Sequence, residues 1–148
     1  MSEIEHTYGI EMTRLAENHY VATNEAGAKI EFGRGEGLLS PVEVLLAAIA
    51  GCSSIDVDVV TARRSEATKF VVKAEGDRVN EDGASRLSAV RLEFDIEFPH
   101  DEAGQKAADM IQRVVQLSHD KHCTVARTVE HQTQVDFTVV NQDQDSAE

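Results

Sequence analysis

Two residues of this chain could do nucleophilic or redox chemistry by type alone: Cys52 and Cys123, about seventy positions apart. A cysteine reacts as its thiolate, so each is judged by what could lower its pKa: a helix N-terminus, a cation or a hydrogen-bonding partner. Cys52 stands inside "SPVEVLLAAIAGCSSIDVDVV", residues 40–60. That places it about three turns into the helix the stretch predicts, where the macrodipole has faded. On that ground alone it reads as a small apolar filler of a core. Cys123 follows Lys121 and His122 and opens a short helical segment, neighbours that favour a thiolate. The plainer alternative is a partly exposed cysteine at an interhelical turn. The spacing fits neither a CxxC redox or zinc motif nor a disulfide scaffold.

Other chemistry-bearing clusters are weaker. His119, His122 and Cys123 form an HxxHC group, but zinc takes four ligands and the only further candidate is a lone His131. No metal or other cofactor is expected. The loop "GRGEG", Gly33 to Gly37, lacks the GK[ST] of a phosphate-binding loop and is expected to be a mobile loop carrying Arg34. Asp56 and Asp58 lie two apart, on different faces of a helix, and read as solvating or capping groups.

The elements that must position these residues follow from periodicity. From Tyr8 to Phe32, short β-branched or alternating runs such as "HYVAT" and "AKIEF" predict an antiparallel meander. Ser40, Pro41 and Glu43 make a capping box that opens a helix expected to reach about Arg64. "KFVVKAEGDRV" and "LSAVRLEFDIEF" alternate around a turn at 80–83 and predict a long β-hairpin with one wet face. Residues 101–122 predict an amphipathic helix with Ala107, Ile111, Val114, Val115 and Leu117 near one face. "CTVARTV" adds a helical turn, "QVDFTVV" (134–140) a final strand, and "NQDQDSAE" (141–148) a disordered tail. The order is α+β, one domain over 1–140. The first helix is apolar around most of its girth from Val42 to Cys52, so one sheet covers only part of it. A second copy of the chain is the simplest cover.

Composition sets the remaining limits. With 14 Lys plus Arg against 27 Asp plus Glu, the formal charge of −13 argues against binding nucleic-acid backbones or anionic membranes. It is also a balance that keeps a protein hydrated in high salt. The apolar run Val42–Ala50 is too short to span a bilayer, and no leader pattern opens the chain, so a soluble cytoplasmic protein is expected. Two unbridged cysteines suit a reducing compartment.

"SPVEVLLAAIAGCSSIDV", with a second cysteine in "HCTVARTVE", resembles the OsmC/Ohr family of thiol-dependent hydroperoxide reductases, and within it the OsmC-like branch. The resemblance spans nearly the whole chain through the order of elements. It implies antiparallel sheets from two chains wrapped around two central buried helices in an intertwined homodimer, with the sites at the interface. It implies that Cys52 attacks an organic hydroperoxide and becomes a sulfenic acid, that Cys123 resolves it as a disulfide, and that an external dithiol, typically a lipoyl group, restores both. Classical members carry a glutamate directly after the helix-opening proline, where this chain has Val42. Glu43 follows one residue later, about 100° around the helix. A rough alignment puts Asn18 where those members have a thiolate-pairing arginine, which leaves Arg14 and Arg34 as substitutes. Thr124 stands where many members have proline. The candidate site is therefore Cys52, Cys123, Arg34, Arg14 and Glu43. Two other readings stay open: a non-catalytic dimer that binds a small apolar ligand, and a thiol redox sensor.

Overall fold

The computed structural model describes residues 2–140, so the expected tail at 141–148 lies outside the described residues. Strands β1 (Ile10–Ala16), β2 (His19–Asn24) and β3 (Lys29–Gly33) form an antiparallel meander in the order β1-β2-β3. Its first turn puts Asn18 at φ 62°, the left-handed region that asparagine tolerates best after glycine. The Asn18 carbonyl accepts the Arg34 N–H at 2.8 Å, which draws the glycine-rich loop against that turn. Gly33 is required by this closeness, because a Cβ there would sit 1.9 Å from the same carbonyl oxygen.

Helix α1 (Pro41–Ala62) begins where the capping box places it. Ser40 Oγ accepts the Glu43 N–H at 3.2 Å, and Glu43 Oε1 accepts the Ser40 N–H at 2.8 Å. Only Ile49, Ser53, Val57 and Thr61 are buried along it, a single stripe at four-residue spacing. Ile55 and Val59 face outward, Ile55 at 64% exposure, and Val42 at the helix start is also exposed. At 22 residues and a mean hydropathy of 1.8 over its most apolar stretch, α1 is long and apolar enough to cross a bilayer. The sequence-based expectation stopped the apolar run at Ala50, whereas the helix continues through Ile55, Val57, Val59 and Val60. Two of its polar residues, Ser53 and Asp56, bond side chains elsewhere in the same chain.

The hairpin β4 (Lys69–Glu81) and β5 (Ala84–Glu97) turns at Asp82-Gly83, φ 53° and 90°, as a two-residue Asp-Gly loop favours. Its ladder runs from Lys69↔Glu97 to Glu81↔Ala84 with one bulge at Asp77/Arg78. The wet face carries ion pairs: Arg91 holds Asp77 through two bonds of 2.7 and 3.0 Å, and Lys69 meets Asp95 at 2.6 Å. Gly76 lets the hairpin lie close to α1, since a Cβ there would already touch Leu46 and crowd Leu87.

Helix α2 (Glu102–Leu117) is N-capped by Asp101 and packs against α1. The expected helix to residue 122 changes character at its end: Ser118–His122 is a π-helical turn, followed by α3 (Thr124–Glu130). The expected strand at 134–140 does not form. A strand exists only through a hydrogen-bonded neighbour, and none of the described strands pairs with this segment, which leaves Val135 and Phe137 at 88% and 87% exposure. Buried apolar side chains number only seven among the described residues: Ile49, Val57, Phe98, Ala107, Val114, Cys123 and Ala126. Many large apolar side chains stay exposed beside so small an interior.

Candidate functional site

The two cysteines meet where α1 passes the junction of the π-helical turn and α3. Both are free thiols; Cys123 is fully buried and Cys52 half-buried against it, beside Ile49 and Ala126. Cys123 is the N-cap of α3, where its sulfur accepts the Ala126 N–H at 3.4 Å. Its own N–H closes the π-helical turn onto the Ser118 carbonyl at 2.7 Å. Single π turns recur at functional positions because they displace a side chain from the regular helical register.

Helix α1 fixes this junction by two side chains one turn apart. Ser53 Oγ lies 3.3 Å from Cys123 Sγ, and Asp56 Oδ2 accepts the Ser118 hydroxyl at 3.1 Å. Asp56 therefore has a tertiary role where the sequence suggested solvation or capping. Arg127 Nη1 donates to the Asp120 carbonyl at 3.1 Å and ties α3 back to the π-helical turn.

Opposing forces act on the Cys52 thiol. Burial pushes its pKa up most strongly; the backbone N–H groups of Val125 and Thr124 pull it down, and the adjacent Cys123 thiol pushes it up again. The net direction is upward. The fold thus favours the neutral thiol of Cys52 over its thiolate, with the Val125 and Thr124 amides opposing that preference.

The remaining candidates lie elsewhere. Glu43 is held by Ser40, which lowers its carboxyl pKa, and it stands nine residues before Cys52, about 13 Å along the axis at 1.5 Å per residue. Arg14 is exposed on β1 opposite Tyr20, and Arg34 is exposed in the glycine-rich loop. Neither guanidinium is among the groups acting on Cys52 within the protomer. Val42 is 48% exposed. No three His, Cys, Asp or Glu side chains converge among the described residues; His119 instead approaches Glu130 at 3.6 Å.

A groove of about 980 Å³ between α1, β5, α2 and α3 reaches Ser53 and Ala126 beside the thiols but neither sulfur, and its lining mixes Leu45, Ile49, Leu92, Ile111 and Val129 with Arg86, Gln112, Gln116, His119 and Glu130. Sequence reasoning missed the amide donors of Thr124 and Val125, the Ser53–Cys123 bond and the Asp56–Ser118 bond. The spacing of Ser53 and Asp56, three apart and so on one helix face, is the signal that could have paired them.

Comparison with known proteins agrees with this architecture. A family model described as OsmC-like protein matches residues 33–138. An uncharacterised protein of Mycobacterium tuberculosis is 28% identical over 131 residues, covering 86% of this chain and 93% of its own. An OsmC-like protein of unknown function from Vibrio cholerae superposes with a TM-score of 0.67 at 18% identity, covering 88% of this chain and 95% of its own. An OsmC-like hydroperoxide resistance protein from Jannaschia superposes with a TM-score of 0.52 at 12% identity, covering 90% and 92%.

Proposed function

The chain belongs to the OsmC-like protein family, and from that premise we propose that it protects against peroxides as a homodimeric, thiol-dependent reductase of organic hydroperoxides in a reducing, cytoplasmic compartment. The single observation that carries this reading is the contact of Cys52 with Cys123, two free thiols on different elements. The Cys52 thiolate attacks the distal peroxide oxygen. The O–O bond breaks, the alkoxide leaves and takes a proton as alcohol, and Cys52 becomes a sulfenic acid. Cys123 then forms the disulfide and water departs. A dithiol, of the lipoyl kind, returns both thiols by exchange and leaves as its own disulfide.

Amide donors from Thr124 and Val125 offset part of the burial that resists ionisation. The thiolate's cation is Arg14 or Arg34, brought by a second copy, since neither reaches Cys52 within one protomer. The outward face of α1 and the unpaired 134–140 segment support that second copy, which would cover both. The groove beside the thiols suits an apolar peroxide better than hydrogen peroxide.

One equivalent of cumene hydroperoxide added to reduced protein tests this by intact mass with and without alkylation. Wild type is expected to lose two hydrogens, Cys123→Ser to hold a trappable sulfenic acid, and Cys52→Ser to stay unchanged. Thiols that remain fully alkylatable after prolonged exposure would overturn the reading in favour of an apolar-ligand binding protein. A disulfide that forms but is not turned over by a lipoyl dithiol would make the protein a redox sensor.

A further inference from the structure

Hydroxyls inside helices ordinarily bond the carbonyl four residues back. Ser54 does so to Ala50 at 2.6 Å and Thr61 to Val57 at 2.7 Å on this same helix. Ser53, 7% exposed between them, does not; its recorded side-chain bond is to Cys123 Sγ at 3.3 Å. It bonds a sulfur seventy residues away in preference to the local carbonyl. The hydroxyl can accept from a thiol and donate to a thiolate, so the bond survives either charge state of the sulfur.

We propose that Ser53 is a positioning residue for Cys123: it holds the sulfur toward Cys52 and donates a hydrogen bond to it while the disulfide closes. This rests on the two-thiol reading above. In the closing step a Cys123 sulfur lone pair forms the S–S bond to Cys52, and the S–O bond of the sulfenic acid breaks. The oxygen departs as hydroxide and becomes water with the proton that Cys123 releases. Ser53 is neither oxidised nor consumed.

The test separates the two chemical steps in wild type, Ser53→Ala and Ser53→Thr. Stopped-flow with cumene hydroperoxide, quenched for mass analysis with a sulfenic-acid trap, gives the rate of Cys52 oxidation and the rate of closure. Ellman's reagent, an aromatic disulfide, supplies a peroxide-free route: Cys52 releases one aryl thiolate on forming the mixed disulfide, and Cys123 releases a second on displacing the other aryl group.

Ser53→Ala is expected to slow closure about tenfold in both arms, through loss of the hydrogen bond that stabilises and aims the attacking Cys123 thiolate, with a smaller effect on the first step. Threonine, which keeps the hydroxyl at this groove-lining position, is expected to restore closure. Closure at the wild-type rate in Ser53→Ala overturns the proposal. So does an equal slowing of both steps with a lowered melting temperature that threonine does not rescue, which marks a structural residue. If wild type gives no sulfenic acid, the peroxidase reading falls, and the rate of the second aryl-thiolate release still decides the role of Ser53.

Discussion

The two faces of α1 carry similar residues to different ends. The inner stripe, Ile49, Ser53, Val57 and Thr61, is closed by α2, α3 and the hairpin of the same chain. The outer face, with Ile55 and Val59, is apolar and open. Inner residues belong to folding and to the site; the outer ones have no cover within the chain, and the homodimer proposed above would supply it. The lesson is that hydrophobicity alone does not mark the core of this protein, because part of the apolar helix stays exposed.

The largest expected effect breaks the inner face. Val57→Asp places an unpaired carboxylate at a fully buried position, a change of about 4 kcal/mol or more. Circular dichroism should show loss of the cooperative thermal transition. The paired change Ile55→Asp with Val59→Asp should instead leave secondary structure intact and convert the protein from dimer to monomer in sedimentation velocity. Unfolding by the outer pair, or a monomer in wild type, would erase the distinction.

A third expectation concerns charge at the site. A single chain raises the Cys52 pKa, so in the monomer made by the outer pair of substitutions, alkylation of Cys52 should keep accelerating about tenfold per pH unit above the ordinary cysteine range, whereas the wild-type dimer should level off earlier. For stability the sign follows from a raised folded value: the contribution is complete below the unfolded pKa and is lost as pH rises through the folded one. Cys52→Ala should flatten that alkaline decline in a melting-temperature series. An alkylation plateau near neutrality would show that a cation already serves the thiol.

Smaller effects lie at the helix start and on the hairpin. Ser40→Ala removes the cap and should cost about 1 kcal/mol in chemical denaturation. Arg91→Ala on the wet face of the hairpin should leave the denaturation midpoint within experimental error, since exposed ion pairs contribute little.

What the sequence made legible was local. The capping box at Ser40 and Glu43, the Asp-Gly turn at 82–83 and the meander each depend on neighbours within a few positions, and each stands in the structure as expected. The two cysteines were legible as residue types. The bonds that bring them together were not, because Ser53 to Cys123 and Asp56 to Ser118 join positions more than sixty apart. The segment 134–140 shows the opposite failure: its alternation was real, but a strand also needs a lateral partner that its own chain does not offer.

Cys123 caps α3 with the same sulfur that would enter a disulfide. Disulfide formation would redirect that sulfur toward Cys52, so oxidation would loosen the amide it holds. Hydrogen–deuterium exchange at the Ala126 amide would then quicken in the oxidised protein, giving a label-free backbone gauge of redox state inside the first turn of α3.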